Sequence, residues 1–122
     1  MGERISEAEH AVMEVLWRDA PLGAAEVAAQ VDPGRGWSIR TVKTMLSRLL
    51  AKGAIVHEEE GRRYLYRPAV SRDDFLSRES GRLIDRMFGG RVTPLVAHLA
   101  EQNRLTPADI EEIEALLRAL KQ

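Results

Sequence analysis

The chain has 122 residues, 30% of them charged, a formal net charge of −1 and no cysteine. That length fits one compact domain, or one small domain with an appendage, able to bury a modest core without metal or disulfide support. Disulfides, thiolate metal sites and cysteine nucleophiles are excluded. No apolar run approaches the ~18 residues of a membrane helix, and the opening Met1-Gly2-Glu3-Arg4-Ile5 is too polar for a signal peptide. A cytoplasmic protein without membrane insertion is expected. His10, His57 and His98 stand singly and there is no glycine-rich phosphate loop, so neither a metal nor a cofactor is expected.

The first helix is announced by Ser6-Glu7-Ala8-Glu9, a capping box in which Ser6 and Glu9 satisfy each other's amides. Ala8, Val12, Val15 and Leu16 follow at helical spacing. Pro21 marks a break, and a shorter helix from about Ala24 to Val31 turns Val27, Ala28 and Val31 inward. Asp32-Pro33-Gly34-Arg35-Gly36 is a predicted loop, since proline and two glycines punctuate it.

The third helix, between an N-cap at Ser38 and a stop at Gly53, carries most of the information. Val42, Met45, Leu46, Leu49 and Leu50 form its apolar stripe. Arg40, Lys43, Thr44 and Ser47 lie opposite, with Thr41 and Arg48 along one flank. From Arg35 to Lys52 there are five basic residues and no acid. Helices that merely face water gain from acid–base pairs one turn apart. A face of cations and small hydroxyls instead suits phosphates and base edges.

A hairpin follows, Ile55 to Glu60 and Arg63 to Arg67 about a Gly61-Arg62 turn, with one face half buried and Pro68 ending it. Three helices and then a hairpin is the order of a winged helix-turn-helix, whose last helix before the hairpin lies in the major groove. From Ser71 onward the chain is helical. A helix capped at Ser71 runs to about Phe88 and turns Leu76, Leu83, Ile84 and Met87 inward. Thr93-Pro94 and Thr106-Pro107 each predict an N-cap with proline at the first helical position. They open helices carrying Leu95, Val96 and Leu99, and Ile110, Ile113, Leu116, Leu117 and Leu120. Three apolar stripes must pack on something; a second copy of the chain is the economical partner, and folding back within a monomer the alternative. Leu83, Met87, Leu95, Leu99, Ile110, Ile113, Leu117 and Leu120 are the dimer candidates. The fold class is thus mainly α with a small β-hairpin: a winged helix over residues 1–70 and a helical dimerisation tail over 71–122.

With these residues in place the chain resembles the penicillinase-repressor family (the BlaI/MecI/CopY type). The likeness rests on Ile5-Ser6-x-Ala8-Glu9 with Val12-Met13 and Leu16-Trp17, on Arg40 to Leu49, on Tyr64-x-Tyr66, on Met87-Phe88-Gly89-Gly90 and on Leu95-Val96. It implies homodimers that bind palindromic operators and repress transcription, in one branch of β-lactamase or related stress genes with a membrane sensor peptidase as partner. Carried over, the DNA contacts fall to Arg40, Thr41, Lys43, Thr44, Ser47 and Arg48, with wing phosphate contacts from Arg62 and Arg63. The copper-responsive branch is set aside because its carboxy-terminal cysteine pairs are absent. In the β-lactam branch the tail is cut at an Asn–Phe bond; the matching position reads His98-Leu99, which marks a candidate cleavage region and departs from that pattern.

Two other classes compete. A winged helix can serve as a protein-interaction adaptor that binds no DNA, but the Ser38–Lys52 segment would then be more apolar or mixed in charge. An enzyme would need more than His57 beside Glu58, Glu59 and Glu60, where no nucleophile or metal set joins, so no catalytic residue is assigned. The acidic trio should repel phosphate and is expected to point away from DNA.

Overall fold

Ser6 opens α1 (Glu7–Arg18) with the predicted capping box: the Glu9 amide donates to Ser6 Oγ and the Ser6 amide to Glu9 Oε1. The computed structural model describes residues 4–31 and 33–122; Asp32, part of the predicted loop, lies outside the described residues. The chain divides into two compact units, Met1–Phe75 and Leu76–Gln122.

In the first unit α1 is followed by α2 (Ala24–Gln30), one 3₁₀ turn at Pro33–Arg35, and α3 (Ile39–Ala51), which Ser38 caps. Strands β1 (Ile55–Glu60) and β2 (Arg63–Pro68) then pair antiparallel from Ile55↔Pro68 to Glu60↔Arg63. The core is built from one stripe of each helix: Val12, Met13 and Leu16, then Val27, then Val42, Leu46 and Leu49. Withdrawing each from water contributes about 1.5–3 kcal/mol. Met13 extends the α1 stripe beyond the expected positions.

The hairpin is tied to the helices through Leu22, just before α2. Its amide donates to the Tyr66 carbonyl and the Tyr66 amide donates to the Leu22 carbonyl, at 3.1 and 2.8 Å. Leu22 is in effect a one-residue third strand. Leu65 and Tyr66 are both buried although neighbours in a strand point to opposite faces. β2 is therefore covered on both sides at this point, where the sequence predicts one half-buried face. Pro68 is its last residue.

Gly53 ends α3 with φ +76°, a conformation that L side chains adopt at a cost. Open space surrounds the position of a Cβ there, so the cost of a side chain is conformational alone. Gly53→Ala should lose about 1–2 kcal/mol in urea unfolding; no loss would mean the helix end relaxes freely.

Beyond β2, α4 (Arg72–Met87) starts inside the first unit, the Asp74 amide donating to Ser71 Oγ. The second unit holds the rest of α4, α5 (Val92–Glu101) and α6 (Pro107–Leu120). Thr106 caps α6 with Pro107 at its start, as expected. α5 departs from expectation: it begins at Val92 with Arg91 as N-cap, so Thr93 lies inside the helix and caps nothing. Pro94 is accommodated because amides of the first helical turn have no intrahelical acceptor to lose. No side chain of α4, α5 or α6 is buried.

Candidate nucleic-acid interface

The apolar stripe of α3 anchors that helix in the core, and the anchoring sets what faces outward. Arg40, Lys43, Thr44, Ser47 and Arg48 are exposed, Thr41 half buried. Because α3 contains no acid, its cations have no partner one turn away. Among the described residues Arg40, Lys43 and Arg48 make no ion pair. The hydroxyls are partly committed: Thr44 donates to the Arg40 carbonyl at 3.1 Å, and Thr41 Oγ1 lies 3.2 Å from the capping Ser38 Oγ. Thr41 thus belongs as much to the cap as to the outward face.

Lys52, last of the basic run, is taken out of it. Its ammonium donates to Glu9 Oε1 at 2.5 Å and to the Arg4 carbonyl at 2.8 Å. Glu9 is only 2% exposed. Burial pushes its carboxyl up, but the hydrogen bonds from Lys52 and the Ser6 amide, with the Lys52 charge, outweigh burial and hold it below the ordinary carboxylate value. Sequence alone placed Glu9 only in a cap. The sole hint was a lysine at the end of an acid-free helix. Arg35, at the other end of the run, lies over the Trp37 ring, 5.1 Å from its centroid.

The two wing arginines differ. Arg62 in the turn is exposed and, among the described residues, makes no ion pair. Arg63 reaches Glu26 of α2 at 2.9 Å and Glu60 at 3.3 Å; Glu26 Oε1 also accepts the Gly23 amide at 2.8 Å. Arg63 is thus a strut between α2 and the wing. The acidic trio does not act as a block, because strand alternation sets Glu59 on the face opposite Glu58 and Glu60. Glu58 pairs with Arg67, Glu60 with Arg63, and Glu59 accepts from the Tyr64 hydroxyl. α3, the start of α2 and the wing enclose a cleft of about 450 Å³.

On the other side of the unit, Trp17 Nε1 donates to the Val70 carbonyl at 2.9 Å, and its ring meets His10 and Phe75. Arg72 holds both carboxylate oxygens of Glu14. These contacts carry the first unit past Val70 to Phe75. His98 and Leu99, the candidate cleavage region, lie within α5, His98 exposed and Leu99 half buried. Of the dimer candidates, Leu95, Leu99 and Ile113 are half buried, while Leu83, Met87, Ile110, Leu117 and Leu120 are exposed, Leu120 at 81%.

A three-helix core with a bridged hairpin, its third helix presenting unpaired cations outward, defines a winged helix-turn-helix of the nucleic-acid-binding class. Residues 5–119 match the model of the penicillinase repressor family, and the chain belongs to that family. It is 32% identical to the penicillinase repressor of Bacillus licheniformis over 97% of this chain and 92% of that one. It is 27% identical to the methicillin resistance regulatory protein MecI of Staphylococcus aureus over 93% and 92%. Among solved structures it is similar to the DNA-binding domain of the repressor BlaI, with a TM-score of 0.53 at 38% identity over 61% of this chain and 93% of that one. A similar match (TM-score 0.51, 38% identity, 61% and 90% covered) is to monomeric Bacillus licheniformis BlaI in complex with the blaP half-operator. Membership makes the protein a DNA-binding transcriptional repressor of the winged-helix class.

Proposed function

We propose that this repressor binds a palindromic operator as a homodimer, with α3 of each protomer in the major groove and the wing tip on the backbone. The observation that carries it is the set of cations on α3, Arg40, Lys43 and Arg48, that make no ion pair among the described residues on a helix with no acid, while Lys52, Arg63, Arg67 and Arg72 of the same unit are each held by a carboxylate. Cations left free are available to displace counterions from phosphate and to read base edges, with Thr44 and Ser47 alongside. Thr41 contacts DNA from the cap, and Arg62 supplies the wing phosphate contact. Arg63 adds to it only by leaving Glu26. The division of labour gives DNA binding to the first unit and dimerisation to the apolar stripes of α4, α5 and α6. No step of this requires catalysis, a metal or a cofactor.

The names of its relatives, a penicillinase repressor and a methicillin resistance regulatory protein, support a β-lactamase or related stress gene as the regulated target. Release follows loss of the dimer, through cleavage of α5 near His98-Leu99 by a partner protease or through another disturbance of those helices. A peptide bond inside an intact helix is not a protease substrate, so cleavage requires local opening of this short helix.

Titration of a specific duplex at several salt concentrations tests the DNA assignment. Arg40→Ala and Arg48→Ala should each cost about 1–3 kcal/mol if they read a base, and relax preference at that base. Arg62→Ala should weaken all sequences alike and reduce the salt slope by about one. Unchanged affinity in the Arg40→Ala, Arg48→Ala double variant would show that α3 does not read DNA.

A further inference from the structure

Resting on α3 as the DNA-reading helix, we propose that Ile39, at its first position, reads the 5-methyl group of a thymine in each half-site. Ile39 is 46% exposed and lines the cleft between α3 and the wing. Lys43, one turn on, and Arg62 and Tyr64 of the wing border the same cleft. The first turn of a recognition helix is the part that meets base edges, and here it carries a branched aliphatic side chain flanked by Arg40 and, one turn on, Lys43. A lone exposed isoleucine on a surface needs no explanation. This one stands beside Arg40, Lys43 and Arg62, none of which makes an ion pair among the described residues, on a helix with no acid; Arg63 on the same cleft is held by Glu26 and Glu60.

Chemistry then selects the ligand. In the major groove adenine, guanine and cytosine present hydrogen-bonding atoms, and the apolar feature there is the thymine methyl. A β-branched side chain is stiff about its first torsion, so it meets a methyl group at a set place with little entropy to lose. Ile39 also neighbours Lys43 on the helix surface. A base that Lys43 hydrogen-bonds and a thymine that Ile39 touches would therefore be close in the operator, and together they define a two-base element that cations alone could not discriminate.

The test uses the full-length protein and a duplex it selects from a randomised pool, resynthesised with deoxyuridine in place of each thymine in turn. Deoxyuridine pairs as thymine does and lacks only the methyl. The wild-type protein should lose about fourfold in affinity at one thymine per half-site, the effect of one buried methyl-sized group. Ile39→Ala should bind the parent duplex more weakly and show no further loss at that thymine; Ile39→Val should keep the sensitivity. Lys43→Ala should weaken binding while still responding to the missing methyl. Because Ile39 is outside the core, the Ile39→Ala protein should melt as the wild type does. If wild-type binding is specific yet no thymine is methyl-sensitive, or Ile39→Ala keeps the wild-type profile, the thymine assignment is overturned and α3 as reading helix stands. If no specific duplex is selected, the operator-binding assignment falls, and this one with it.

Discussion

Leu117→Asp is expected to weaken binding to a full palindromic duplex by about 10²–10⁴-fold, with affinity for a single half-site unchanged. Leu117 lies on α6 in a unit whose helices bury no side chain, and its own side chain is half exposed. The substitution therefore removes little from the protomer's own packing and places a charge on the apolar stripe with Ile110, Ile113 and Leu120. In a dimer, engagement of the second half-site is intramolecular and draws on an effective concentration set by the linkage between the two DNA-binding units. Loss of the linkage forfeits that gain while every residue on α3 stays in place. Sedimentation velocity of both proteins, with titrations on whole and half sites, checks both halves of the expectation. A wild-type protein that sediments as a monomer at tens of micromolar, a concentration that would populate even a weak dimer, would sink the homodimer. Undiminished dimerisation by Leu117→Asp would move the interface away from α6.

The second large effect lies in the core of the first unit. Glu9→Ala should cost about 3–5 kcal/mol of unfolding free energy, the range for breaking a buried charge pair by removing one partner. Glu9 Oε1 accepts from both the Ser6 amide and Lys52 Nζ, so alanine strands a largely buried ammonium and half of a capping box together. The pH dependence follows from the sign of the shift. The folded carboxyl is held below its ordinary value, so its stabilisation is fully present above the unfolded value of about 4.3 and is lost as pH falls through the folded one. The gap between wild type and Glu9→Ala should therefore narrow at acid pH. Lys52→Met removes the lysine hydrogen bond and charge, leaves burial acting on Glu9, and should move the onset of acid unfolding upward. Urea melts across a pH series measure both; a loss below about 1 kcal/mol, the level of an exposed pair, would show that the pair is worth no more than a surface one.

Much of α3 was legible before any fold was known. Ser38 caps it, Gly53 closes it, and the Val42–Leu46–Leu49 stripe turns Arg40, Lys43, Thr44 and Arg48 outward. Ile39 was not legible as exposed, because it sits at the edge of that stripe and differs from its neighbours only by lying past the rim of the core. Thr93 shows the limit of a local rule. A threonine followed by proline marks a helix start, but the pair is also tolerated inside the first turn, and α5 takes the earlier start.

What the sequence determined by itself were features that depend on residues three or four apart: the caps at Ser6, Ser38 and Thr106, the apolar periods, the turn at Gly61-Arg62, and the absence of acid on α3. Such features arise within one turn of a helix or one hairpin and need no partner element. Only the tertiary structure decided which cations remain free. It pairs Lys52 with Glu9, Arg63 with Glu26 and Arg72 with Glu14, and leaves Arg40, Lys43, Arg48 and Arg62 without an ion pair among the described residues. It also carried the first unit to Phe75 through Trp17. Those partners lie far apart along the chain, and they meet only because the buried faces of the three helices and the Leu22–Tyr66 bridge dock in one arrangement.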